Sequence, residues 1–259
     1  MRAIDRQLDI CRESYFPQGL AFSFLTFSFS FFVPLLARLQ NIRYLCTDIS
    51  ASIPSLYDKT MAEDTKSIKR ALVSVYSKDG LEEILRHLHR EGVELLSTGG
   101  TQEFIESLGI PCRKVEDVTT YPSILGGRVK TLHPKVFGGI LGRRDLPADR
   151  EQMAQYEIPE IDLVVVDLYP FEDTVARGAS APDIIEKIDI GGISLIRAAA
   201  KNFAHVAIVP SQAQYATLAG ILQKQGAATT LEQRRQLACA AFGVTSHYDT
   251  AIGQWFAAQ

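Results

Sequence analysis

Residues 161–166 read Ile-Asp-Leu-Val-Val-Val, an almost unbroken apolar run too short for a typical helix. Such a run marks a central parallel strand covered on both faces. It commits the rest of the chain to supplying parallel neighbours and helices for the two faces of a sheet. The flanking sequence meets that demand. Residues 71–76 and 93–96 are short apolar runs that read as strands, and residues 206–209 as one more. Between them, residues 80–90 are helical, with Leu81, Ile84, Leu85 and Leu88 repeating at three and four and charges opposite. Thr101 is expected to cap a second helix, with Phe104, Ile105 and Leu108 on one face and Gly109 closing it. A loop rich in Thr, Pro and Gly runs over residues 117–135. Residues 149–156 read as a helix. Residues 184–200 read as another, interrupted at Gly191-Gly192, and residues 215–225 and 231–256 are helical. Strands alternating with helices predict an α/β fold with a doubly wound parallel sheet, followed by a C-terminal helical segment. Ligands on such sheets sit at the carboxyl ends of the strands.

Of the 259 residues, 27 are Lys or Arg and 30 are Asp or Glu, a formal net charge of −3. That balance gives no electrostatic basis for non-specific nucleic-acid binding. Cys11, Cys46, Cys112 and Cys239 stand far apart with no CxxC pair, so neither a zinc knuckle nor a dithiol site is indicated. Free thiols fit a cytoplasmic protein. Composition is uneven along the chain. Seven of the 13 Phe lie in the first 60 residues, and no charge occurs between Glu13 and Arg38. That segment could be a signal anchor, the apolar part of a signal peptide or an amphipathic strand. The reading adopted is a plainer one. Met61 opens MAEDTKSIKR, a charged lead into the first strand, so residues 1–60 are an extension outside the fold. A membrane enters only through residues 14–37. The domain proper is expected over 61–210, completed by a helical segment over 211–259. Apolar positions in that segment, among them Leu237, Ala241, Ile252, Trp255 and Phe256, predict self-association as a homodimer.

Four motifs carry chemistry. Ser97-Thr98-Gly99-Gly100-Thr101 follows a strand and opens a helix. Its glycines allow close backbone approach, the helix start offers free N–H groups to an anion, and its hydroxyls add donors. In Gly126-Gly127-Arg128-Val129-Lys130-Thr131-Leu132-His133-Pro134, Arg128 and Lys130 alternate, so an extended segment projects both to one side. A guanidinium fork and a point-charge ammonium suit a phosphate or a developing oxyanion; a solvated basic loop is the alternative. His133 is either an acid/base or a turn residue. Asp167-Leu168-Tyr169-Pro170-Phe171 follows the buried run, where Tyr169 and Phe171 either face a site or cover the core. Asp189 before Gly191-Gly192 is a carboxylate candidate or a helix cap. Lys201 ends the stretch Arg197-Ala198-Ala199-Ala200-Lys201-Asn202, whose alanines permit close helix packing.

Taken in order, SVYSKDG, STGGT, LGGRVKTLHP, LYPF, IDIGG and RAAAKN resemble the inosine monophosphate (IMP) cyclohydrolase domain of the bifunctional purine biosynthesis protein, over roughly residues 68–259. The resemblance implies a methylglyoxal-synthase-like domain that closes 5-formamidoimidazole-4-carboxamide ribotide, a purine ribonucleotide precursor, to IMP with loss of water. It implies no metal or organic cofactor. It assigns nucleotide contacts to Ser74, Lys78, Thr98, Gly99, Gly100, Thr101, Arg128, Thr131, Asp167 and Gly191. It makes Lys130, Tyr169, Asp189 and Lys201 the catalytic group. Asp167 stands where many members have Asn, and a carboxylate accepts but cannot donate. Thr98 stands where others carry Ser. The family's formyltransferase domain is expected to be absent from this chain. A methylglyoxal-synthase-like lyase and a regulatory nucleotide-binding module share the fold and the phosphate loop; LGGRVKTLHP and RAAAKN favour the cyclohydrolase.

Overall fold

A five-stranded, all-parallel sheet organises residues 65–259, the part of the chain that the computed structural model describes. The sequence readings of residues 1–60 lie outside the described residues. A two-residue strand, β1 (Lys66–Ser67), leads into β2 (Arg70–Ser74), β3 (Glu94–Ser97), β4 (Arg113–Lys114), β5 (Leu163–Val166) and β6 (Ala207–Val209). Their order is β4-β3-β2-β5-β6. Leu72 lies opposite Val164, and Val164 opposite Ile208, in the middle of the sheet. All three are fully buried, as is Leu163, which is what the apolar run required. Burial of each such side chain is worth on the order of 2 kcal/mol. Strand β1 pairs antiparallel with β7 (Ala228–Thr229), outside the main sheet.

The helices are α1 (Leu81–Arg90), α2 (Gly99–Ser107), α3 (Val115–Thr119), α4 (Pro134–Leu141), α5 (Pro147–Gln155), α6 (Phe171–Ala176), α7 (Ala181–Glu186), α8 (Gly191–Lys201), α9 (Tyr215–Gln225) and α10 (Leu231–Ala257). The expected helix over 184–200 is thus two helices, separated by residues 187–190. The expected loop over 117–135 holds a 3-10 turn at Leu125–Gly127 and gives way to α4 at Pro134. Ala198, Ala199 and Ala200 are buried where α8 packs on β5 and β6, with α4 and α10 alongside. Helix α9 packs against α1. Thr230 and Gln233 form a reciprocal capping box at the start of α10.

The chain supplies its own covering for most of the apolar positions assigned to a dimer surface. Leu237 and Ala241 belong to the main core. Ile252 and Trp255 pack on a second cluster around Phe171, Ile184 and Tyr248. Phe256 alone of the five is exposed. Among the described residues no helix is long and apolar enough to cross a membrane.

Asp162 interrupts the apolar run because it sits at the amino edge of the sheet. Its Oδ2 accepts the N–H groups of Lys69 and Arg70 at 2.7 and 2.9 Å, and its Oδ1 pairs with Arg144. These partners compensate a buried carboxylate. Arg234 is a second buried charge, 1% exposed. It donates to the carbonyls of Phe203 at 2.9 Å, Ala204 at 3.2 Å and Thr229, fastening α10 to β7 and to the turn before β6. Arg234→Met is therefore expected to leave several buried carbonyls without a donor and to lower stability by about 3 kcal/mol. Urea unfolding should show a lower midpoint with an unchanged slope.

Candidate functional site

A cavity of about 720 Å³ opens over the carboxyl ends of β2, β3 and β5, where an open parallel sheet offers its ligand site. Its wall contains Ser74, Lys78, Thr98, Gly100, Thr101, Arg128, Lys130, Thr131, Asp167, Tyr169, Asp189 and Gly191. Twelve of the fourteen positions singled out in the sequence thus converge on one concavity. Gly99 lies just behind the wall, and Lys201 is not brought to it.

The floor is built from backbone that the strands leave unpaired. Thr101 does not cap α2; that position falls to Thr98, and Thr101 lies within the first turn. Its Oγ1 donates to the Val75 carbonyl at 2.9 Å and accepts the Val75 N–H at 3.2 Å. Ser97 Oγ donates to the Val73 carbonyl at 2.7 Å, and Thr98 Oγ1 donates to Glu116 Oε1 at 3.0 Å. All three hydroxyl protons expected to serve a ligand are committed to the protein. What the loop offers an anion is the main-chain N–H groups at the start of α2, where the helix dipole is favourable.

Asp167 resolves the question of a carboxylate in an Asn position. Its Oδ1 accepts the N–H of Tyr76, and its Oδ2 accepts that of Ser77 at 3.0 Å. Two acceptors are what this turn needs, and an amide side chain has only one. Burial pushes the Asp167 carboxyl up despite these bonds and the nearby Lys78. Lys78 donates to the carbonyls of Val75 and Tyr76 at 2.9 and 2.8 Å, leaving one ammonium proton for a ligand.

Lys130 lies in a slot made by two glycines. A Cβ on Gly99 would stand 3.2 Å from Lys130 Nζ, and one on Gly127 would stand 2.5 Å from Lys130 Cε. Gly127 also has φ of +86°, a conformation that side chains disfavour. Gly191 makes similar room for Thr131, whose Oγ1 would be 3.2 Å from a Cβ there. Arg128 reaches across the mouth and pairs with Glu186 at the end of α7. Its guanidinium is therefore occupied by a carboxylate of the protein. His133 is the turn residue of its two readings: Nδ1 accepts the Lys135 N–H at 3.1 Å and starts α4.

Tyr169 and Phe171 divide the roles left open between them. Phe171 is buried in the second cluster, whereas Tyr169 is 41% exposed at the cavity. The Tyr169 ring meets Tyr76 edge to face, centroids 5.8 Å apart. Burial, then the charges of Asp189 and Glu186, push its hydroxyl up. Asp189 Oδ1 accepts the Gly192 N–H at 2.6 Å, so the carboxylate caps α8 as well as lining the cavity. A Cβ on Gly192 would crowd Asp189 Oδ2 at 2.8 Å. Burial raises the Asp189 carboxyl; the N–H groups of Gly192, Tyr169 and Ile193 oppose that rise.

Lys201 is exposed at the far end of α8. Ten residues separate it from Gly191, roughly 15 Å at the helical rise. The ammonium that does stand beside Tyr169 is Lys187, 5.6 Å from that ring centre and 6.0 Å from Tyr76. Sequence reading missed Lys187, Tyr76 and Glu186. Each is adjacent to a recognised motif, and only the fold turns it toward the cavity.

The Arg128–Glu186 pair yields a direct expectation. Glu186→Gln frees the guanidinium for a phosphate-bearing ligand. Affinity for a nucleoside 5′-monophosphate should rise about twofold to fivefold, the scale of an exposed ion pair, in isothermal titration at low salt. Unchanged affinity would show that Arg128 does not reach the ligand's anion.

Comparison with known proteins accounts for this arrangement. Residues 80–194 match the MGS-like domain model, and residues 199–259 match that of the AICARFT/IMPCHase bienzyme. Bifunctional purine biosynthesis protein PurH of Bacteroides thetaiotaomicron is 69% identical over 193 residues, covering 74% of this chain and 38% of that protein. The Rhodospirillum rubrum PurH is 52% identical over 192 residues, covering 74% and 36%. The chain thus spans less than two fifths of these curated relatives. A solved structure titled "Crystal structure of ForH" superposes with a TM-score of 0.63 at 34% identity, covering 73% of this chain and 97% of that one. The chain belongs to the AICARFT/IMPCHase bienzyme family and corresponds to a region of the bifunctional purine biosynthesis protein that includes its MGS-like domain.

Proposed function

We propose that the chain is an IMP cyclohydrolase, closing 5-formamidoimidazole-4-carboxamide ribotide to IMP. The observation that carries this reading is the convergence of Lys130, Tyr169 and Asp189 on one cavity beside an anion cradle at the start of α2. The relatives' names, which specify purine biosynthesis, support it.

Ring closure joins the carboxamide nitrogen to the formyl carbon of one molecule. The reactants are already tethered, so the protein mainly has to hold a near-attack geometry. The phosphate would lie against the N–H groups of the Gly99-Gly100 turn, with Arg128 released from Glu186 to face it. Attack by the amide nitrogen forms the N–C bond, and negative charge develops on the formyl oxygen. Lys130 Nζ, confined between Gly99 and Gly127, would stabilise that oxygen and pass it a proton. Asp189 would accept the amide proton, with the Tyr169 hydroxyl as an intermediate carrier. A second proton on the former formyl oxygen lets it leave as water. This division gives each group a step consistent with its charge: a cation at the developing oxyanion, a carboxylate at the proton to be removed.

Kinetics with purified residues 61–259 and the formylated substrate, followed by ultraviolet absorbance, test the reading. Lys130→Ala should lower kcat about 10²–10³-fold with little change in KM, the signature of charge stabilised only in the transition state. Lys130→Arg should restore little, because a planar fork does not fit a slot shaped for an ammonium. Arg128→Ala should instead raise KM. A Lys130→Ala enzyme that keeps kcat within about threefold of the parent contradicts the assignment, well short of the loss expected for one oxyanion donor.

The pH profile gives an independent expectation. Asp189 acts as a base only when ionised, and burial raises its pKa. Activity should therefore fall as pH decreases through a value above the ordinary aspartate range, and Asp189→Asn should abolish that limb along with most of kcat.

A further inference from the structure

The residue that fixes Asp189 lies 59 positions away on α10. The Asp189 N–H donates to the Tyr248 hydroxyl at 2.8 Å, and that hydroxyl donates to the Lys187 carbonyl, also at 2.8 Å. One oxygen thus closes both main-chain groups of the 187–189 segment, which joins α7 to α8 and has no regular structure of its own. The Tyr248 ring is buried against Phe171, 6.2 Å between centroids, and Phe171 meets Trp255 at the same separation. The hydroxyl therefore stands on a packed aromatic cluster and not on a mobile side chain. Helix α10 is also fastened at its other end by Arg234.

We infer that Tyr248 is a positioning residue for Asp189: its hydroxyl holds the 187–189 backbone so that the carboxylate is presented to the cavity. The inference rests on the cyclohydrolase reading for its catalytic consequence, though the tether itself is independent of that reading. Removing the hydroxyl leaves the Asp189 N–H and the Lys187 carbonyl without their partner. The segment can then drift from the first turn of α8, and the Gly192 N–H that stabilises the carboxylate loosens with it. The charged and titratable groups facing Asp189 come from every neighbouring element: Asp167 and Tyr169 after β5, Glu186 and Lys187 before it, and Tyr248 with Asp249 on α10. Losing a stabilising N–H bond favours the protonated carboxyl. The acid limb of activity then moves to higher pH.

The test uses the full chain and two variants. Tyr248→Phe removes only the oxygen, and Trp255→Leu loosens the same cluster while leaving the oxygen in place. For Tyr248→Phe, kcat should fall about fivefold to tenfold and KM should stay within about twofold. The acid limb should move up by about half a pH unit, the scale of one lost hydrogen bond. Amide hydrogen exchange at residues 189–192 should accelerate. Trp255→Leu should lower the melting temperature without moving the acid limb. Equal kcat losses and equal limb shifts in both variants would overturn the inference, because the effect would then belong to the cluster as a whole. So would a Tyr248→Phe protein with parental kcat, limb and exchange. If the parent chain does not cyclise the substrate, the function reading fails by itself, and exchange at residues 189–192 decides the tether: acceleration supports it and parental exchange overturns it.

Discussion

Strand β2 ends with four main-chain groups that no neighbouring strand can pair, and the site is organised by the side chains that satisfy them. Thr101 takes the N–H and carbonyl of Val75, Asp167 takes the N–H groups of Tyr76 and Ser77, and Lys78 folds back on the carbonyls of Val75 and Tyr76. Buried backbone groups without partners are costly, so these bonds are close to obligatory. They also bind three distant segments together. The turn after β2, the start of α2 and the exit of β5 are locked into one surface. Tyr169, two residues beyond Asp167, takes its place at the cavity as a consequence.

The sheet and most helices were legible because their apolar periods are strong. The run at 161–166 dictated a central strand, and β5 occupies its last four residues, with Asp162 displaced to the rim by its bonds to Lys69 and Arg70. Strand β4 was not legible: Arg113 and Lys114 are exposed and charged, and only pairing with Leu96 and Ser97 makes them a strand. Helix α4 was hidden for a different reason. Gly138 and Gly139 read as loop residues, yet they serve close packing, since a Cβ on Gly138 would sit 2.9 Å from Ile158 Cδ1. Sequence cannot distinguish a glycine that breaks a helix from one that lets a neighbour approach.

Within the site, charges were easier to read than geometry. Arg128, Lys130, Tyr169 and Asp189 were marked by residue type and by neighbouring glycines, and they meet at the cavity. The allocation of protons was invisible. Ser97, Thr98 and Thr101 looked alike as donors, but each hydroxyl has a specific acceptor that only the fold supplies. Tyr248 was invisible too, because an aromatic at helical spacing reads as core, and its ring is indeed core. Lys201 illustrates the opposite error. A basic residue following an attractive motif was drawn toward the site, while the length of α8 carries it to the surface.

The bond from Thr98 to Glu116 gives the cavity a direction. With its proton spent on Glu116, the Thr98 oxygen presents lone pairs alone, and these repel another oxygen anion while welcoming a hydroxyl group. A short distance away, the amides at the head of α2 have the opposite preference. An incoming molecule with an anionic end and a hydroxyl-bearing middle can satisfy both only in one orientation. The reversed orientation sets anion against lone pair and leaves the amides facing a group that answers them weakly. Alignment is thus selected at entry, by mismatched hydrogen-bond polarity, before any catalytic group is engaged.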